Sequence, residues 1–215
     1  MTAARAGHWE QVYETRLTDE VSWYQAEPSI SRRLVAGATH GADAAVVDVG
    51  AGASRLVDLL LEDGFTDLTV LDVSSRALAV LQERLGQRSG QVTWVRNDVL
   101  DWQPDRTFDV WHDRAVFHFL TDPQDRSRYV GLVRRAVAAH GIVIVATFAT
   151  DGPTHCSGLP VTRYDAAGLA EAFGGEFELD HSEREEHATP SGAVQPFTWV
   201  VLRRREAREG QPRDA

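Results

Sequence analysis

The chain has 215 residues, 43% hydrophobic and 25% charged, with a formal net charge of −10. That describes a soluble domain large enough to bury its own core, and an acid excess without a basic stripe argues against a nucleic-acid partner. One cysteine excludes an internal disulfide, no apolar run reaches membrane-spanning length, and the start MTAARAGHWE lacks a secretion signal's apolar core, so a cytoplasmic protein without a membrane partner is expected.

Residues 1–7 read as a mobile start. From His8 to Leu17, Trp9, Val12, Tyr13 and Leu17 recur at helical spacing and predict a short amphipathic helix. Trp23, Tyr24 and Gln25 follow in a connecting segment before Pro28; aromatics so placed must pack on the domain or on a ligand. A helix is expected from Ser29 or Ser31 to Ala38.

Residues 46–64, VVDVGAGASRLVDLLLEDG, then read as a strand ending in Asp48, a tight turn through Gly50 and Gly52, and a helix opened by Ser54 and closed by Gly64. Strands are expected at 68–72, 92–95, 108–112 and 142–148, with helices from Ser74 to Gly86 and from Asp125 to His140 between them. Residues 149–163 form a long Gly- and Pro-containing loop with His155, Cys156 and Arg163. Asp165 opens a helix ending near Phe173, Phe177 to Asp180 begins a strand and Phe197 to Leu202 makes the last; the polar stretch 183–196 between them is expected to be exposed. The alternation predicts a doubly wound, Rossmann-like α/β fold: a seven-stranded, mostly parallel sheet with an antiparallel last strand. The expected division is an N-terminal helical lid over 1–45, a main domain over 46–205 and a disordered charged tail over 206–215.

The glycine turn is the most informative stretch. Its glycines admit a ligand to the main chain, and the helix start offers unpaired N–H groups to negative charge. A dinucleotide fingerprint needs a third glycine at position 55, which here is Arg55, and Asp48 would repel a pyrophosphate. S-adenosylmethionine (SAM) suits that acid better, because its amino-acid end carries an ammonium. The second strand ends in Asp72, placed to accept from ribose hydroxyls, and the third leads to Asn97-Asp98, where a carboxylate can accept from an adenine amino group.

On these residues the chain resembles the class I SAM-dependent methyltransferases, over roughly 46–203. The stretch DVGAGAS (48–54) is similar to that family's acid-x-Gly-x-Gly turn, with Ser54 where a glycine is frequent, and Asp72 and Asp98 match its ribose and adenine acids. The resemblance implies a methyl transferase using SAM and releasing S-adenosylhomocysteine, with Asp48, Gly50, Gly52, Ser54, Asp72, Val73, Asp98 and Val99 as cofactor residues, and a small molecule as acceptor.

The fourth strand ends in Trp111-His112-Asp113-Arg114, followed by Phe117-His118-Phe119. Asp113 either faces the methyl-transfer centre or caps locally beside Arg114; His118 is either a general base or a structural histidine. These three are the catalytic candidates. Trp23, Tyr24, Gln25, His112, Cys156 and Arg163 are the substrate-side candidates, and the spacing of the histidines gives no metal site. Two finer resemblances compete. SerTrpTyrGln, AspArgAla and GlyLeuPro-x-x-x-Tyr (158–164) look like the thiopurine and thiol S-methyltransferases; GlyPheThrAspLeuThrValLeuAsp with Asp113 looks like lysine methyltransferases of the same fold. A silent partner subunit and a dehydrogenase are the readings of other classes. The acceptor atom, the pathway and the oligomeric state stay open.

Overall fold

The computed structural model describes residues 2–39 and 41–205; the expected tail at 206–215 lies outside the described residues. In chain order the elements are α1 (Thr2–Thr15), α2 (Ser29–Gly37), β1 (Ala45–Val49), α3 (Leu56–Glu62), β2 (Asp67–Asp72), α4 (Ser75–Leu85) and β3 (Val92–Arg96). Then follow β4 (Phe108–Arg114), α5 (Pro123–Ala136), β5 (Val137–Phe148), the short β6 (His155–Cys156) and β7 (Leu159–Pro160), α6 (Ala166–Phe173), β8 (Phe177–Ala188) and β9 (Val194–Arg204).

Seven strands form one sheet in the order β3-β2-β1-β4-β5-β9-β8. Strands β1 to β5 pair in parallel, and β9 runs antiparallel to both its neighbours. The strand order reverses between β1 and β2 on one side and β4 on the other, which opens a crevice at their carboxyl ends.

Side chains along the strands alternate between two cores. Val46, Val70, Val110 and Ile144 pack with Leu34 of α2, Leu60 of α3 and Leu81 of α4. Val47, Leu71, Trp111 and Val145 pack with Tyr129 and Val133 of α5 and Phe173 of α6. Both faces are covered, so the parallel strands read as apolar runs.

Four expectations are corrected. Residues 2–7 belong to α1, which Glu10 anchors by accepting from the Ser75 and Arg76 amides at 2.7 and 3.2 Å, at the start of α4. The helix expected from Asp125 to His140 starts at Pro123 behind an Asp122 cap and stops at Ala136; Val137 is already extended, pairing with Phe108. The stretch 183–196 is mostly hairpin, because β8 and β9 pair from Phe177 to Ala188; its polarity is that of an edge strand whose alternate side chains meet solvent. The loop at 149–163 contains the small β6–β7 hairpin.

Candidate functional site

The turn after β1 is built for close approach. Gly50 has φ +64°, and a Cβ there would stand 2.0 Å from Val116 Cγ2; Gly52 has φ +56°, and its Cβ would stand 2.2 Å from the Tyr13 hydroxyl. Conformation and space both require glycine. Ser54 Oγ accepts the Leu56 N–H at 3.1 Å, and Arg84 of α4 donates to the carbonyls of Ala53 and Ser54, bracing the turn from below. The Asp72 carboxylate accepts from the Gly52 N–H at 2.7 Å and from the Ser74 N–H at 2.8 Å. Burial pushes its pKa up to about 6, against those hydrogen bonds.

A cleft enclosing about 890 Å³, its mouth included, lies over this turn. One wall carries Asp72, Val73, Asn97, Asp98 and Val99; the other carries Arg114, Phe119, Phe148, Cys156 and Phe197. Trp9, Tyr13 and Trp23 of the N-terminal segment border it, with Trp9 edge-on to both Trp23 and Phe119. Asp98 accepts from the Leu100 N–H at 2.9 Å, while its Oδ2 is buried without a partner. Arg5 stands 3.8 Å from that oxygen and pairs with Asp125 at 2.6 Å.

A second pocket adjoins the first, sharing Trp23, Gly50 and Arg114. Asp48 and His112 are partners in the β1–β4 register, so both project to the same face. His112 Nδ1 lies 2.8 Å from Asp48 Oδ1, and its Nε2 lies 3.0 Å from Ser31 Oγ. A carboxylate only accepts, so Nδ1 carries the proton, and in the neutral ring Nε2 accepts from the serine hydroxyl. Asp48 Oδ2 is buried and has no partner. Tyr24, Gln25 and Ser54 also line this pocket.

Three sequence candidates stand elsewhere. Asp113 alternates to the opposite face of β4, is wholly buried, and accepts from the Val116 and Phe117 amides at 2.7 and 3.1 Å and from the Tyr129 hydroxyl. Burial raises its pKa to about 6 despite these bonds. It joins the 115–117 turn to α5 and does not border the cleft. His118 is also wholly buried, packed on Phe119 and Phe148, with its pKa drawn down to about 3 by burial and by Arg114, and it does not border the cleft. Arg163 spends its guanidinium on the Gly152 carbonyl at 2.9 Å and braces its own loop. Nor do Asp113 and Arg114 pair locally, since alternation sends them to opposite faces; Arg114 reaches Trp23 and Glu185 instead. Residues the sequence reading missed include Ser31, Tyr13, Phe119, Glu185, Gln195 and Phe197. Only Tyr13 carried a signal, its helical spacing with Trp9.

These residues fit SAM. Two buried carboxylate oxygens without a hydrogen-bond partner, on Asp48 and Asp98, border the crevice where an ammonium and an adenine amino group need acceptors, and the glycine cradle leaves room between them.

Residues 46–141 match the family model of the methyltransferase domain. The mouse (Mus musculus) eEF1A lysine and N-terminal methyltransferase is 25% identical over 122 residues, which is 56% of this chain and only 17% of that protein. Among solved structures, the 1,6-didemethyltoxoflavin-N1-methyltransferase of Burkholderia thailandensis, with S-adenosylhomocysteine bound, superposes with a TM-score of 0.71 at 20% identity, covering 95% of this chain and 89% of that one. The N-methyltransferase NodS of Bradyrhizobium japonicum, also with S-adenosylhomocysteine, gives 0.70 at 15% identity over 93% and 100% of the two chains. The glycopeptide N-methyltransferase MtfA gives 0.66 at 17% identity over 85% and 92%. At such identities the likeness is one of fold. Together with the match of residues 46–141 to a methyltransferase domain, it gives this chain the fold of the class I SAM-dependent methyltransferases.

Proposed function

We propose that the chain methylates a small-molecule acceptor at a thiol or another soft nucleophile, with SAM in the crevice at the ends of β1, β2 and β3. The observation that carries the cofactor assignment is the pair of buried carboxylate oxygens without a hydrogen-bond partner, on Asp48 and Asp98, flanking the glycine turn. Asp48, steadied by His112 and Ser31, holds the amino-acid end beside Gly50 and Ser54. Asp72 and Val73 take the ribose, and Asp98 and Val99 the adenine. Held there, SAM would supply an electrophilic methyl to the acceptor's lone pair, with S-adenosylhomocysteine as the leaving product.

The protein's share is alignment and exclusion of water. Trp9, Tyr13 and Trp23 act as a lid from the N-terminal segment, residues 1–45. Cys156 borders the cleft as a thiol that burial pushes up to about 12, so it neither attacks nor accepts a proton near neutrality. With His118 withdrawn from the cleft as well, the acceptor has to lose its proton readily by itself. That favours a thiol, whose ordinary pKa is about 8.5, over an alcohol. The lysine reading drew on the stretch GlyPheThrAspLeuThrValLeuAsp and the aromatic N-terminal segment as well as on Asp113, and of these the acid is spent on Tyr129 and the turn amides.

Calorimetry with SAM, S-adenosylhomocysteine and NAD, followed by a methyl-donor assay on thiols, phenols, amines and a proteome extract, tests the proposal. SAM binding and label on a small thiol are expected. Binding of NAD but not SAM would remove the cofactor reading; label confined to protein lysines would replace the acceptor reading.

A further inference from the structure

Resting on the reading of the cleft as a methyl-transfer site, we propose that Arg114 is an anion-binding subsite at its acceptor end. The acceptor it selects is a small molecule that joins a negatively charged oxygen or sulfur group to a planar apolar body.

The Arg114 side chain is nine-tenths buried, with 10% exposure, yet its hydrogen bonding is incomplete. One terminal nitrogen, Nη1, donates to the Trp23 carbonyl at 3.1 Å, while Nε and Nη2 have no hydrogen-bond partner and Nη2 only an ion pair with Glu185 at 3.7 Å. Buried donors in native proteins are nearly always satisfied, by protein, water or ligand. Nε and Nη2 form one edge of the guanidinium, the edge that meets a carboxylate through two parallel bonds.

Glu185 does not fill that edge. Its nearest oxygen lies 3.7 Å from Nη2, and its two oxygens accept from Gln25 Nε2 at 2.6 Å and Trp199 Nε1 at 2.8 Å. It compensates the buried charge through space and leaves the donors open. His187 lies 3.9 Å from the same carboxylate, with its Nε2 2.7 Å from the Ser22 carbonyl; burial and Arg114 depress its pKa, so it adds no second cation. The Cys156 thiol is neutral and does not repel an incoming anion.

The surroundings define the rest of the ligand. The Phe197 ring lies under the guanidinium, 4.5 Å from its carbon to the ring centroid, and Phe119 and Phe148 continue the apolar wall. Gln195 borders the same space and has a buried Oε1 without a partner, an acceptor for a hydroxyl or amine on the ligand. A flat body can lie along this apolar wall while its charged end meets the arginine edge.

Arg114 borders both pockets, so the cofactor's own carboxylate is the competing source of negative charge. The test separates the two. Benzoate, 2-mercaptobenzoate and uncharged benzamide are titrated into the full chain saturated with S-adenosylhomocysteine; S-adenosylhomocysteine and 5′-methylthioadenosine, which lacks the carboxylate, are titrated into parent and variants. The two anions are expected to bind about tenfold or more tighter than benzamide, the scale of a charge-assisted pair. Arg114→Gln is expected to abolish that preference and Arg114→Lys to keep part of it, with both nucleosides held within about threefold of the parent. Equal binding of benzoate and benzamide by the parent overturns the proposal. So does an Arg114→Gln protein that loses S-adenosylhomocysteine but keeps 5′-methylthioadenosine, because the guanidinium then serves the cofactor. If Arg114→Gln does not fold, the parent's ranking and Arg114→Lys decide. A parent that binds no S-adenosylhomocysteine removes the methyl-transfer reading itself, a result distinct from the others.

Discussion

Four of the five parallel strands end at or beside an aspartate at the same rim of the sheet, yet these acids divide into two kinds. Asp48 and Asp98 each keep one oxygen without a partner, buried at the edge of a cleft. Asp113 receives two backbone amides and a tyrosine hydroxyl and borders no cavity. Asp72 stands between them: it lines the cleft but also holds the Gly52 and Ser74 amides. An unmet hydrogen bond on a strand-end acid therefore marks room for a ligand, and Asp72, whose two oxygens each hold a single amide, can still accept a further donor. A saturated one is a bracket.

The most severe break of this comparison falls on the bracket. Asp113→Ala should destabilise the fold by about 3 kcal/mol, since a buried tyrosine hydroxyl and two amides lose their acceptor. Urea unfolding reads this; an unchanged midpoint with lost turnover would return Asp113 to catalysis. Its raised pKa gives a second readout. The unfolded carboxyl ionises near 3.8 and the folded one near 6, so the folded state holds the extra proton between them. The stability from this group is full below about 3.8 and is lost as pH rises through about 6. Asp113→Asn should show a shallower slope than the parent in unfolding curves between pH 4 and pH 7, keeping the share that Asp72 contributes.

The cleft acids should differ by losing affinity, although Asp48→Ala also leaves the buried His112 Nδ1–H without its acceptor and should cost some stability. Asp48→Ala is expected to weaken S-adenosylhomocysteine about tenfold or more and to spare 5′-methylthioadenosine, which has no ammonium. Asp98→Ala should weaken both by about tenfold, since both carry adenine. Calorimetry that shows the two variants losing the same ligands would undo the assignment of ends.

Ser31→Ala sharpens the comparison further. It removes the hydroxyl that steadies His112 behind Asp48, and should cost a few-fold in S-adenosylhomocysteine affinity, again sparing 5′-methylthioadenosine. A loss shared by both ligands would mean that Ser31 merely supports the fold.

The mildest change concerns the lid. Burial works against ionisation of Glu10, but hydrogen bonds from Ser74, Ser75 and Arg76 hold its pKa down to about 2. Its contribution is therefore present above about 4.5 and is lost as pH falls through about 2, so α1 should loosen from α4 in acid. Glu10→Gln should show the same loosening at neutral pH, seen as faster amide exchange in α1 with little change elsewhere.

Much of this protein could be read from one dimension. Alternating strand and helix patterns give a doubly wound sheet, because a parallel pair needs a crossover and a helix is its usual form. The glycine spacing with Asp48 separates this turn from a dinucleotide turn, because Arg55 fills the place of the third glycine. Even the division between Asp113 and Arg114 was within reach: residues in a strand alternate faces, so Trp111 and Asp113 must share one and His112 and Arg114 the other.

Other features depend on contacts across long stretches of chain. Ser31 meets His112 from a helix 81 positions earlier, and Gln25 meets Glu185 across 160. The pattern of an edge strand hid the second half of β8, because its polar face looks like a loop until β9 supplies the ladder. Sequence determined the layers and the cofactor turn, since both follow from local period and local conformation. Which acids stay unsatisfied, and which cation is left with an open edge, was decided by tertiary structure, because a hydrogen bond is counted only when every possible partner is in place.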